Sequence, residues 1–72
     1  MIKYDKLWIT MRKKGITKYM LIKEYNISKS LLHRLKYNMG VSMNTIDILC
    51  DILNCEIEDI ATHYKTKNSE EQ

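Results

Sequence analysis

The chain has 72 residues, a net charge of +3, no proline, two glycines and two cysteines. That length suits one small domain with a binding surface, and leaves no room for an added effector-sensing domain or a deep catalytic cleft with its scaffold. No apolar run approaches the roughly 20 residues of a membrane span, and the first ten residues lack a signal-peptide core, so a cytoplasmic protein without a membrane partner is expected.

The lack of proline and the abundance of helix formers predict an all-α fold. Tyr4, Leu7, Trp8 and Met11 fall at i, i+3, i+4 and i+7, the stripe of an amphipathic helix over about residues 4–14. Gly15 suits the left-handed residue that ends it, and Arg12, Lys13 and Lys14 favour its negative C-terminal end. Trp8 is expected to anchor the core, with an exposed stacking role as the alternative.

Thr17 is the N-cap expected for a second helix, with Ile16 placed to pack on Leu21. Leu21 and Tyr25 share a face. Asn26 tolerates the positive φ of a tight turn, Ile27 is buried in that turn, and Ser28 caps a third helix. Leu32 and Leu35 face inward with Ile27, whereas Leu31, about 100° round from Leu32, need not be in the core. The third helix should fail near residues 37–40, where Asn38 and Gly40 supply turn chemistry.

Ser42 caps a fourth helix in which Ile46, Leu49, Cys50 and Leu53 repeat the same stripe. Ile48 and Ile52 form a second apolar pair, which makes this helix central or places it at an interface. Asn54 ends it. A short fifth helix begins near Glu56, with Glu56, Glu58 and Asp59 in its first turn and with Ile57 and Ile60 turned inward. Residues 1–65 are thus expected to form the domain, and residues 66–72, TKNSEEQ, a flexible polar tail.

Charge is split along the chain. Residues 1–16 hold Lys3, Lys6, Arg12, Lys13 and Lys14 against Asp5, and residues 17–40 hold Lys18, Lys23, Lys29, Arg34 and Lys36 against Glu24. Residues 41–64 hold Asp47, Asp51, Glu56, Glu58 and Asp59 with no Lys or Arg. Such a split suits a polyanion on one side of the fold. Cys50 and Cys55, with His33 and His63, lack the spacing of zinc ligands and are expected to be reduced thiols that fill the core. No metal and no cofactor are expected.

Residues 17–37, TKYMLIKEYNISKSLLHRLKY, read as two short helices joined by a tight turn, a helix-turn-helix unit. The segments GITKYMLIKEYNISKSLLHRLKYN and VSMNTIDILCDILNCEIEDI resemble the lambda-repressor-like, Cro-type helix-turn-helix family over about residues 4–64. That resemblance implies five short helices, the second and third forming the motif, and a recognition helix at about residues 28–37 that enters the major groove of double-stranded DNA.

It also implies roles for single residues. Lys18, at the start of the second helix, is placed to bind phosphate or to pack against a base-reading side chain. Lys29 and Ser30 take the first positions of the recognition helix, where base edges are read, and Arg34 is the next residue pointing into the groove. Tyr37 and Asn38 match the helix exit, where phosphates are held. The chemistry agrees: Lys and Arg donate to guanine, Ser pairs with several base edges, and Leu31 can meet a thymine methyl. The capped helix starts at Thr17 and Ser28 present free N–H groups to phosphates. His33 is read as a solvated surface side chain, with a backbone contact as the alternative.

The family favours a small residue where Ile22 stands and glycine where Asn26 stands. Ile22 is therefore expected to require a wider helix crossing or an outward rotamer. Lysine in place of the family's frequent Gln at positions 18 and 29 gives more charge and less two-point base recognition, and so modest sequence specificity.

The function expected is that of a small transcriptional regulator, a repressor binding a palindromic operator as a homodimer. Its dimer face would be the Ile48/Ile52 side of the fourth helix, or the fifth helix with Tyr64. The alternative is the same fold used as a protein-binding module, such as an inhibitor or antitoxin. With no catalytic order of residues and no phosphate loop, neither an enzyme nor a small-molecule substrate is expected.

Overall fold

The computed structural model describes residues 1–65; the expected flexible tail at residues 66–72 lies outside them. Four α-helices carry the fold: α1 (Asp5–Lys14), α2 (Lys18–Tyr25), α3 (Lys29–Lys36) and α4 (Met43–Leu53). A 3-10 helix, Ile57–Asp59, follows α4, and strands β1 (Ile2–Lys3) and β2 (Thr62–His63) tie the two ends of the domain together.

Local chemistry sets each helix boundary. Gly15 ends α1 at φ 72°, and asparagines in the same left-handed region end α2 (Asn26, φ 57°) and α4 (Asn54, φ 50°). Glycine has no Cβ to clash there, and asparagine visits this region more readily than other residues with a Cβ, which is why the three stops could be read from sequence. The caps expected at Thr17, Ser28 and Ser42 are formed: each side-chain oxygen accepts the backbone N–H three residues on, at 3.1, 3.0 and 3.1 Å.

Leu7, Leu21, Leu35, Leu49, Leu53 and Ile60 are fully buried, so every helix contributes to one core. Tyr4, Met11, Ile27, Leu32 and Ile46 complete it, and Trp8, Ile16, Ile22 and Leu31 pack half-buried against it. Trp8 is thus a rim residue rather than a central anchor. Ile22, the bulky departure from the family pattern, is accommodated at the same rim.

The closing segment differs from expectation in three ways. The fifth helix is a single 3-10 turn: the Asp59 carboxylate caps its start by accepting the Glu56 N–H at 3.0 Å, and the chain then straightens into β2. Ile60, the residue that follows the turn, fills the core while Ile57, its first residue, is 53% exposed. The ribbon itself had no sequence signal, since two-residue strands are too short to show alternation. It pairs Ile2 with His63 and Lys3 with Thr62. Tyr64 N–H donates to the Met1 carbonyl at 2.7 Å, and the Met1 ammonium donates to the Tyr64 carbonyl at 2.8 Å. Tyr25, one turn beyond Leu21 on α2 and next to the Asn26 stop, is exposed.

Candidate nucleic-acid interface

α2 and α3 are each eight residues long, joined by Asn26, Ile27 and Ser28. Ile27 is buried and its N–H donates to the Leu21 carbonyl at 2.9 Å, which locks the turn onto the end of α2. The angle between the two helices is thus set by buried backbone as well as by leucine packing.

The charge at their starts sets these two helices apart from α1 and the 3-10 helix. A helix start carries partial positive charge and favours carboxylates. α1 obeys this with Asp5, as does the 3-10 helix with Glu58 and Asp59. α2 and α3 do the reverse: their first residues are Lys18 and Lys29, and neither has an acid in its first turn. Each start thus combines the positive end of a helix dipole with a lysine, an arrangement that an incoming anion would relieve.

α3 divides cleanly into two sides. Leu32 and Leu35 are buried and Leu31 is half-buried, while Lys29, Ser30, His33, Arg34 and Lys36 are exposed. Arg34 is partly tethered: its Nη1 donates to the Gly40 carbonyl at 3.2 Å. A guanidinium has five N–H donors, so this brace orients the group and leaves others free to turn outward. Tyr37, 57% exposed, lies against the His33 ring at 4.7 Å, with Lys36 Nζ 5.4 Å from its own centroid. His33 is therefore a surface residue that packs at a tilt of 54° against an aromatic ring.

Asn38 is exposed but has a structural task. At φ 57° it turns the chain out of α3, and its Oδ1 accepts the Tyr4 N–H at 3.0 Å. The Tyr4 hydroxyl donates to the Met39 carbonyl at 3.0 Å. The start of α1 thus fastens the exit of α3, and the Asn38 NH2 group is the end that can face a phosphate.

Thr17 and Lys18 are exposed at the start of α2, and Lys18 Nζ lies 4.7 Å from the Trp8 ring centroid. Ser28, Ser30, Leu31 and Arg34 line an open depression of about 400 Å³ together with Gly40, Val41, Ser42 and Thr45. Ser42 and Thr45, 3.0 Å apart through their hydroxyls, are surface partners of α3 that sequence reasoning did not assign. The available signal was that α4, like α2 and α3, has a hydroxyl cap and no acid in its first turn.

The acidic second half presents a different surface. Ile48, Ile57 and Tyr64 are exposed, and Cys50 and Cys55 are half-buried beside Asp47 and Glu56 in a groove of about 350 Å³. Burial is the main cause that pushes both thiols above their ordinary range. A hydrogen bond with Cys55 partly offsets it at Cys50, Cys50 itself adds to it at Cys55, and nearby carboxylates raise both, so they are protonated at neutral pH. Among the described residues, no helix is long and apolar enough to cross a membrane.

Comparison with known proteins agrees with this geometry. Residues 6–66 match the model of the Cro/C1-type helix-turn-helix DNA-binding domain. Among solved structures, a crystal structure of the transcriptional regulator VanUg superposes with a TM-score of 0.80 at 29% identity, covering 90% of this chain and 87% of that one. No curated protein matches the sequence.

Proposed function

The chain belongs to the Cro/C1-type helix-turn-helix DNA-binding family, and from that premise we propose that it is a sequence-specific repressor that reads double-stranded DNA with α3. The observation that carries this reading is the reversed charge at the helix starts: both helices of the motif begin with lysine where their own dipoles favour acid. In the proposed complex α3 lies in the major groove, N-terminus first. Lys29, Ser30 and Arg34 face base edges, and Leu31, at the rim of the core, offers its remaining surface to a thymine methyl. Thr17, Lys18 and Ser28 bring helix N–H groups and charge to the phosphates, and Tyr37 with the Asn38 NH2 group holds the backbone beyond the α3 exit.

A repressor of this kind acts by occupying its operator, with no chemical step. Two copies would read a palindrome with half-sites about one helical turn apart. The exposed Ile48, Ile57 and Tyr64 are the apolar surface proposed for the second copy.

The test is selection of bound sites from a random duplex pool, followed by gel shifts over a salt series. A palindromic preference with affinity falling steeply as salt rises is expected, because neutralised phosphates release counterions. Absence of any binding at about 50 mM salt, where electrostatic affinity is strong, would overturn the reading and favour a protein-binding module.

A further inference from the structure

We infer that Trp8 is a positioning residue for DNA binding, acting through Lys18. This rests on the reading of Lys18 as a phosphate contact. The geometry is a cation over an aromatic face: Lys18 Nζ stands 4.7 Å from the Trp8 ring centroid, inside the distance of about 6 Å at which the ring quadrupole attracts an ammonium.

The physical need for such a support is specific to this position. Lys18 is the first residue of α2, where the helix dipole repels a cation, and the first turn of α2 holds no acid to offset that repulsion. An unsupported lysine there would swing its flexible side chain away from the positive helix start. Trp8 belongs to α1, packs half-buried against the core, and so offers a ring whose orientation is fixed by the fold. The ring holds the ammonium beside the α2 start without neutralising it, which a carboxylate in the same place would do. The ammonium therefore keeps its full charge for a phosphate and loses less rotamer freedom when one arrives. The rim position of Trp8 fits this task, because an indole sunk into the core could not present its face to a surface lysine.

The test measures duplex affinity and its salt dependence for the full chain and for Trp8→Leu, Trp8→Phe, Lys18→Met and the Trp8→Leu/Lys18→Met pair, below the melting temperature of each. Trp8→Leu should weaken binding about two- to fivefold, the size of the rotamer freedom that an unsupported Lys18 would lose on meeting a phosphate, and Trp8→Phe should restore most of it. Lys18→Met should lower the salt slope by about one. In the Lys18→Met background, Trp8→Leu should change affinity no further.

An equal loss from Trp8→Leu in both backgrounds would make Trp8 a packing residue and overturn the inference. So would a Phe variant as weak as the Leu variant. If the full chain binds duplex DNA but Lys18→Met leaves affinity and salt slope unchanged, the inference fails while the DNA-binding reading stands. If the full chain binds no duplex DNA, both fail together.

Discussion

The starts of α1 and α2 lie one helix apart, the second three residues beyond Gly15, yet they handle charge in opposite ways. α1 opens with Asp5 and closes with Arg12, Lys13 and Lys14, so both of its ends suit its dipole. α2 opens with Lys18 and α3 with Lys29, and in each the favourable charges appear only towards the far end. A helix that serves only the scaffold can satisfy its own electrostatics. The helices of the motif leave theirs unsatisfied at the surface, where a polyanion would complete them.

This contrast can be broken or sharpened by substitution. The largest effect is expected in the core both regions share: Leu35→Ala should destabilise the fold by about 2–5 kcal/mol in urea unfolding, because Leu35 is fully buried. A loss below about 1 kcal/mol would show that the site collapses around the smaller side chain. Arg34→Ala should cost on the order of 1–3 kcal/mol of operator binding and relax preference at one base pair. Equal weakening on every sequence would assign Arg34 to the phosphates or to its Gly40 brace instead.

Ser28→Ala removes the α3 cap and should lower stability by about 1 kcal/mol, read from the urea midpoint. The sharpest probe of the comparison is Lys29→Glu. At low salt it should raise stability by about 0.3–1 kcal/mol, since it gives α3 the charge its dipole favours. DNA binding should fall steeply in the same variant. A variant both less stable and still binding would remove the argument from reversed helix starts. The smallest effect is expected on the acidic side, where Asp51→Lys should leave DNA affinity nearly unchanged in a gel shift. A clear gain or loss would place that side of α4 near the nucleic acid.

Much of the local design was legible in the sequence because it depends on short-range chemistry. Asn26 and Asn54 stop helices through their tolerance of positive φ. Thr17, Ser28 and Ser42 start them through one side-chain hydrogen bond each. Leu32 and Leu35 against Lys29 and Arg34 gave the two sides of α3 from spacing alone. The charge split needed only counting.

What the sequence could not determine depended on residues far apart meeting. Nothing in the order of residues links Tyr4 to Asn38 and Met39, although two hydrogen bonds join them across more than thirty positions. The β1–β2 ribbon joins the first strand to the last, and each half is too short to carry a pattern of its own. Ile57 and Ile60 have the same chemistry, and only the tight 3-10 turn with the strand after it decided that Ile60 is buried and Ile57 exposed. Trp8 could be assigned to an amphipathic stripe, but its place at the rim, with Lys18 above its ring, exists only because α1 packs beside the start of α2. Caps, stops and apolar stripes act within one or two helical turns and so are written locally. Clasps, ribbons and stacked cations need two distant segments brought together, and only the folded core does that.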